Sequence, residues 1–190
     1  ARMRDARCDV VAMEVSSHAL DLDRTWDAAF AVTAFSNLTQ DHLDYHHTFE
    51  AYFEAKARLF SKDYPARRVI CIDDKWGKEL LRRCSEAGDS VVTTGFDRSA
   101  LIHPKDVQYY PTHTSITLDV RGSLHTFDYP LVGKFNVENI MCAFGIGIQL
   151  GIGVSTIIDA LREAPQIPGR LERVHTPHDG GVSVFVDYAH

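Results

Sequence analysis

Lys56 stands where a charge is out of place. Between residues 48 and 60 the side chains of Phe49, Tyr52, Phe53, Leu59 and Phe60 recur at three- and four-residue steps, the period of one helix face, and Lys56 falls inside that apolar stripe. Burial favours the neutral amine, so a lysine on a core-facing stripe calls for a carboxylate partner or a chemical task. A neutral amine attacks carbonyl carbon, phosphoryl phosphorus or carbon dioxide. The plainer reading has the methylene stem packing along the stripe while the ammonium reaches water at its edge.

Two polar clusters upstream bear on that choice. Residues 9–15 are apolar except at the ends, which predicts a strand buried on both faces, with Val10, Ala12 and Glu14 on one side. Glu14 then lies at the carboxyl end of that strand, followed by Ser16 and Ser17. A second run, residues 30–35, is followed by Asn37, Thr39, Asp41 and His42. In open parallel sheets ligands bind outside the carboxyl ends of the strands. Carboxylate, imidazole and a modified lysine together could hold a divalent cation beside a phosphate. Magnesium prefers oxygen ligands, and a lysine that has captured carbon dioxide is a carbamate with two of them. Taken singly, Glu14 also reads as a cap of the next helix, and His42, His46 and His47 as histidines satisfied by the backbone. The density of Asp41, His42, Asp44, His46 and His47 raises a further alternative, a zinc hydrolase using Asp41, His42 and His46. That alternative lacks cysteine ligands and an H-E-x-x-H spacing.

The elements that must position these groups alternate. After the Lys56 helix come a strand over residues 68–72, a helix over 75–87 and a strand over 90–94, which predicts an α/β fold with a central, mostly parallel sheet and flanking helices. Residues 107–110, 115–120 and 124–129 alternate as short strands with a turn at Gly122 and Ser123, a small antiparallel β flank. A helix capped by Asn136 should run toward Leu150, and a shorter one over 155–163 has Ser155 as its cap. Gly145 and Gly147 form no dinucleotide fingerprint and read as packing glycines. The breakers Pro165, Pro168 and Gly169 mark a boundary, giving one domain over 1–167 and the start of another over 168–190. A last strand covers 182–186.

Composition narrows the class. A chain of 190 residues with 45% hydrophobic and 24% charged content suits a globular domain, and a net charge of -6 argues against nucleic-acid binding through a basic surface. The longest apolar stretch, 140–152, is broken by glycines and too short to span a bilayer, so no membrane partner is expected. Cys8, Cys71, Cys84 and Cys142 contain no C-x-x-C pair and read as reduced thiols of a cytoplasmic protein. The chain opens on Ala1, Arg2 and Met3 without a start signal and stops at His190 just after a strand pattern, which predicts a segment of a longer enzyme. No G-x-x-x-x-G-K-[ST] phosphate loop occurs in it.

Three runs carry a resemblance: Glu14-Val15-Ser16-Ser17-His18-Ala19-Leu20, Asn37-Leu38-Thr39-Gln40-Asp41-His42-Leu43-Asp44-Tyr45-His46, and Glu54-Ala55-Lys56. Further on, Gly133-Lys134-Phe135-Asn136-Val137-Glu138-Asn139, Pro168-Gly169-Arg170-Leu171-Glu172 and Val186-Asp187-Tyr188-Ala189-His190 follow in the same order. Together they resemble the Mur ligases of peptidoglycan synthesis, most closely the branch that adds the third amino acid of the stem peptide. The resemblance implies a chain that covers the central ATPase domain after its phosphate loop and enters the carboxyl-terminal ligase domain. It implies ATP and Mg2+ as cofactors, and UDP-N-acetylmuramoyl-L-alanyl-D-glutamate with meso-diaminopimelate or L-lysine as partners. The amide would form through an acyl phosphate, and the isolated segment would be inactive. Carried over by position, Glu14 and His42 resemble magnesium ligands, and Lys56 resembles the family's carbamylated lysine, a catalytic metal support. Ser16 and Arg24 resemble contacts to the muramoyl-dipeptide. Leu22 departs from a position that is often polar. Asn136, Asn139, Arg170 and Asp187 resemble nucleotide contacts. The runner-up readings are another Mur or folylpolyglutamate-type ligase, which would lack the paired serines after Glu14, and a non-catalytic module.

Overall fold

The structure, a computed structural model, describes residues 2–39, 43–174 and 184–188. In chain order the elements are α1 (Arg2–Asp5), α2 (Ser17–Asp21), β1 (Val32–Phe35), α3 (Leu43–His46), α4 (Phe49–Ala57) with a 3-10 turn (Arg58–Phe60), β2 (Arg67–Cys71), α5 (Lys75–Glu86), β3 (Val91–Thr94), β4 (Ile102–Tyr109), β5 (Thr114–Val120), β6 (Ser123–Tyr129), α6 (Lys134–Gln149), α7 (Val154–Arg162), β7 (Glu172–Val174) and β8 (Val184–Val186). Strands β1 to β6 form one sheet in that order, and β7 pairs with β8 in a separate antiparallel pair. The α/β class, the largely parallel centre and the antiparallel flank are as the sequence predicts.

The connections explain the strand directions. Helices α3 and α4 bridge β1 to β2, and α5 bridges β2 to β3, each a crossover long enough for parallel pairing. Only residues 95–101 link β3 to β4. Lengthwise parallel pairing needs about a dozen linking residues, and the two strands meet at a single register pair, Thr94 with Ile102. Beyond it β4, β5 and β6 form an antiparallel meander. The β5–β6 turn falls on Arg121 and Gly122, both at positive φ, one residue earlier than predicted, and Ser123 already pairs with Val120.

Side chains alternate across the sheet into two cores. Ile70 and Ile72 join Leu20, Phe35, Tyr52, Phe53, Leu59, Phe60 and Leu80 on the side of α2, α4 and α5. Val92, Ile116, Leu118, Phe127 and Tyr129 join Val137, Met141, Phe144 and Ile157 on the side of α6 and α7. Close helix approach requires glycine. A Cβ on Gly77 would fall 1.8 Å from the Cys71 carbonyl oxygen, and one on Gly145 or Gly147 would fall 2.8 Å from a Val69 methyl or 2.7 Å from Ile157 Cδ1.

Three expectations are corrected. Residues 9–15 are not a buried strand: they lead into α2 without regular structure, and Val10 is 73% exposed. An apolar run becomes a buried strand only when neighbours pair its edges and cover its faces, and among the described residues none does so. Asn136 and Ser155 are not caps. Gly133 and Gly153 hold those positions, and Asn136 and Ser155 lie within the helices.

Candidate functional site

Helix α4 is held at both ends. Thr48 caps it, its hydroxyl accepting the Ala51 N–H at 3.1 Å. At the other end the guanidinium of Arg68, 2% exposed, donates to the carbonyls of Leu59, Phe60 and Ser61 and to Thr33 Oγ1 at 3.0–3.3 Å, and pairs with Asp89 at 3.3 Å. A buried charge persists only when paired and hydrogen-bonded, and Arg68 meets both conditions by tying the end of the Lys56 helix to β1 and β2. Arg83 adds a forked pair with Glu54 at 2.8 and 2.9 Å, linking α5 to α4.

Beside α4, past the carboxyl end of β1, lies a cleft of about 290 Å³ lined by Glu14, Ser16, Ser17, Asn37, Tyr52 and Lys56 among others. Glu14 is exposed and Lys56 is half-buried. The lysine ammonium lies over the ring of Tyr52, one helical turn earlier, 5.1 Å from its centroid. Ser16 is the N-cap of α2, its hydroxyl oxygen accepting the Ala19 N–H at 3.2 Å. That bond uses an acceptor lone pair and leaves the hydroxyl hydrogen for a ligand in the cleft. Ser17, the next residue, is buried and bonded to His46. Asn37 is held by a loop whose Leu38 N–H donates to Asp74 Oδ2 at 3.2 Å, while Asp74 Oδ1 caps α5 through the Gly77 N–H at 2.7 Å.

The cleft thus brings Glu14, Ser16 and Lys56 together, and Glu14 reaches it from an irregular stretch. His42 and Asp41 lie outside the described residues. Arg24 is exposed on the turn after α2 and is not among the cleft-lining residues. Nearby, the Tyr45 hydroxyl donates to Asp21 at 2.6 Å, which raises the phenol's pKa. Among the described residues no three histidines, cysteines or carboxylates group as a metal site, and of the zinc alternative's Asp41, His42 and His46 only His46 is among them. All four cysteines are free thiols, and burial pushes Cys71 up to about 12 and Cys84 to about 11, which keeps them unreactive.

The residues resembling nucleotide contacts gather elsewhere. Asn136 is buried, donating to the Val132 carbonyl at 2.8 Å and accepting from Asn139 at 3.4 Å. Arg170 lines the same narrow crevice as Asn136, and Asp187 accepts the Leu171 N–H at 3.3 Å. Glu138, next to Asn139 on α6, has its carboxyl raised by burial. Sequence reasoning overlooked Tyr52 and His46 as supports of the cleft. The four-residue spacing of Tyr52 and Lys56 was a usable signal for the first.

Donor chemistry favours a hard cation in the cleft. Glu14, the Ser16 hydroxyl and the Asn37 amide all present oxygen at the cleft, and Lys56 would add two more oxygens as the carbamate that the resemblance implies. The described residues therefore fit magnesium.

A family model described as the Mur ligase middle domain matches residues 1–147. The UDP-N-acetylmuramoyl-L-alanyl-D-glutamate 2,6-diaminopimelate ligase of Thermosynechococcus vestitus is 41% identical over 98% of this chain and 37% of its own length. A solved structure of a ligase of that name superposes with a TM-score of 0.78 at 29% identity, covering 87% of this chain and 34% of that one. The apo form of L. casei FPGS shares the fold alone, with a TM-score of 0.77 at 19% identity over 100% of this chain and 45% of its own. The chain thus spans less than half the length of these relatives. Since the family model covers most of the chain and a relative shares two residues in five along nearly all of it, this chain belongs to the Mur ligase family.

Proposed function

We propose that the protein carrying this chain is an ATP-dependent amide ligase that joins meso-diaminopimelate to UDP-N-acetylmuramoyl-L-alanyl-D-glutamate in peptidoglycan synthesis. The observation that carries the proposal is the meeting of Glu14, Ser16 and Lys56 in one cleft past the carboxyl end of β1. The choice of diaminopimelate over L-lysine is supported by the name of the 41% identical relative.

In this reading the D-glutamate carboxylate of the substrate accepts a phosphoryl group from ATP, releasing ADP, and the amine of the third amino acid attacks the acyl carbon and expels phosphate. Magnesium, held by Glu14, His42 and the carbamate of Lys56, would neutralise phosphoryl charge when bound. Lys56 serves as an anion that holds metal, its carbamate formed when the neutral amine attacks carbon dioxide and loses a proton. The Tyr52 ring holds the Lys56 head at the cleft, within reach of carbon dioxide entering it. Ser16, with its hydroxyl hydrogen available, and Arg24 orient the muramoyl-dipeptide. Asn136, Asn139, Arg170 and Asp187 hold the nucleotide. We assign residues 1–167 to the central domain and 168–190 to the start of the next, in keeping with the separate pairing of β7 and β8. ATP as substrate and reduced thiols suit a cytoplasmic location, and among the described residues no helix is long and apolar enough to cross a membrane.

The test is phosphate release by the full-length protein given ATP, magnesium, bicarbonate and the muramoyl-dipeptide. Release should depend on diaminopimelate and not on lysine. Release with lysine alone would reverse the amino-acid assignment, and release with neither would overturn the function.

A further inference from the structure

We propose that His46 is a positioning residue of the ligase cleft, locking the serine pair of α2 to the Lys56 face of α4. The inference rests on the ligase reading above. His46 Nε2 lies 2.8 Å from Ser17 Oγ, in a hydrogen bond whose donor is set by the ring's tautomer. Ser17 is 1% exposed and His46 8% exposed, so the bond is made away from water. The same imidazole stacks on Tyr52, with centroids 5.2 Å apart and planes at 18°, and meets Tyr45 edge-on at 4.8 Å. Tyr52 in turn carries the Lys56 ammonium on its face. Contacts therefore run from Ser16 through Ser17, His46 and Tyr52 to Lys56, joining two walls of the cleft from beneath.

Packing alone does not call for an imidazole here. An apolar ring would fill the space, whereas a buried hydroxyl such as that of Ser17 needs a directional partner. Helix α2 has five residues, too few to hold its own position, so its placement depends on tertiary bonds of this kind. A shift of α2 against α4 would move Ser16 relative to Lys56 while leaving the nucleotide residues on α6 where they are.

The experiment compares kcat and KM for each substrate in the full-length protein, with melting temperatures, across His46→Phe, His46→Gln, Ser17→Ala and the His46→Phe/Ser17→Ala double variant. Phenylalanine keeps the ring and loses the bond, and glutamine returns an amide nitrogen to the reach of Nε2. His46→Phe and Ser17→Ala should each lower kcat/KM for the muramoyl-dipeptide about ten- to a hundredfold, with KM for ATP changed less than about twofold. The double variant should be no worse than the poorer single one, because both remove one interaction. His46→Gln should recover to within about threefold of the parent protein. Losses that multiply in the double variant, losses shared equally by all substrates and matched by lost folded protein, or parent-like kinetics for His46→Phe would each overturn the inference. If His46→Phe fails to fold, parent-like kinetics for Ser17→Ala overturn it, and a dipeptide-specific loss there with recovery in His46→Gln sustains it. A parent protein that releases no phosphate overturns the ligase reading and this inference with it, whereas an active parent with an indifferent His46→Phe overturns this inference alone.

Discussion

At the scale of single residues, Lys56 separates two chemistries that look alike in sequence. As a cation it would grip phosphate, and as a carbamate it would grip metal, and the two uses answer differently to arginine. Lys56→Arg preserves a positive charge of similar reach but its guanidinium stays protonated and cannot capture carbon dioxide. We therefore expect the full-length Lys56→Arg protein to lose at least about a hundredfold in kcat, with its melting temperature close to that of the parent. Retention of most activity by arginine would show that a cation suffices. The stripe that exposed Lys56 is legible because helix periodicity is local. The tie between Ser17 and His46 spans 29 positions and has no local signature. Arg68 likewise reads as an ordinary charge at a strand start, and only the fold shows its five hydrogen bonds, four of them to Thr33 and the end of the Lys56 helix.

At the scale of elements, the cleft depends on how helices begin and end. Asp74 serves two elements at once, capping α5 and holding the loop that carries Asn37. Asp74→Ala should cost about 1 kcal/mol of stability through the lost cap, measurable as a lower denaturant midpoint at unchanged slope. It should also weaken muramoyl-dipeptide binding, because the loop it releases carries Asn37 along the wall of the cleft that Ser16 also lines. A stability loss without any change in KM would confine Asp74 to capping. The caps themselves were misjudged for Asn136 and Ser155. Side-chain propensity favours asparagine and serine at a helix start, yet Gly133, at φ 95°, gives the chain a turn that asparagine at 136 could not supply. Asn136 instead spends its amide inside the helix on Val132 and Asn139.

At the scale of the whole molecule, charged side chains stitch helices across the surface, and acid should loosen them. Glu79, between Arg82 and Arg83, is lowered from 4.5 to about 2, and Glu54 is lowered by Arg83, while Asp97 is lowered further by Lys78 and Ser99. Each carboxyl binds its proton more weakly in the folded state than in the unfolded one, so its contribution is complete above about pH 4.5 and is lost as the pH falls toward 2. Melting temperature should therefore decline over that window, and Glu79→Gln should flatten the decline. Because these groups are exposed, the effect should shrink in high salt. A profile that is flat from pH 5 to pH 2 would remove these pairs from the account.

By itself the sequence determined what is local or ordered along the chain: the α/β alternation, the antiparallel flank, the apolar stripe around Lys56, and the motif order that points to the Mur ligases. Periodicity and motif order survive any arrangement of neighbours, which is why they can be read in one dimension. Burial cannot. Residues 9–15 carry the pattern of a core strand and stand exposed, because a strand is buried by what pairs with it and not by its own composition. Only the tertiary structure decided that Glu14, Ser16 and Lys56 share one cleft while Asn136 and Arg170 share another crevice, and that a buried imidazole joins the two walls of the first. Those relations are distances between residues far apart in the chain, fixed by sheet order and helix packing.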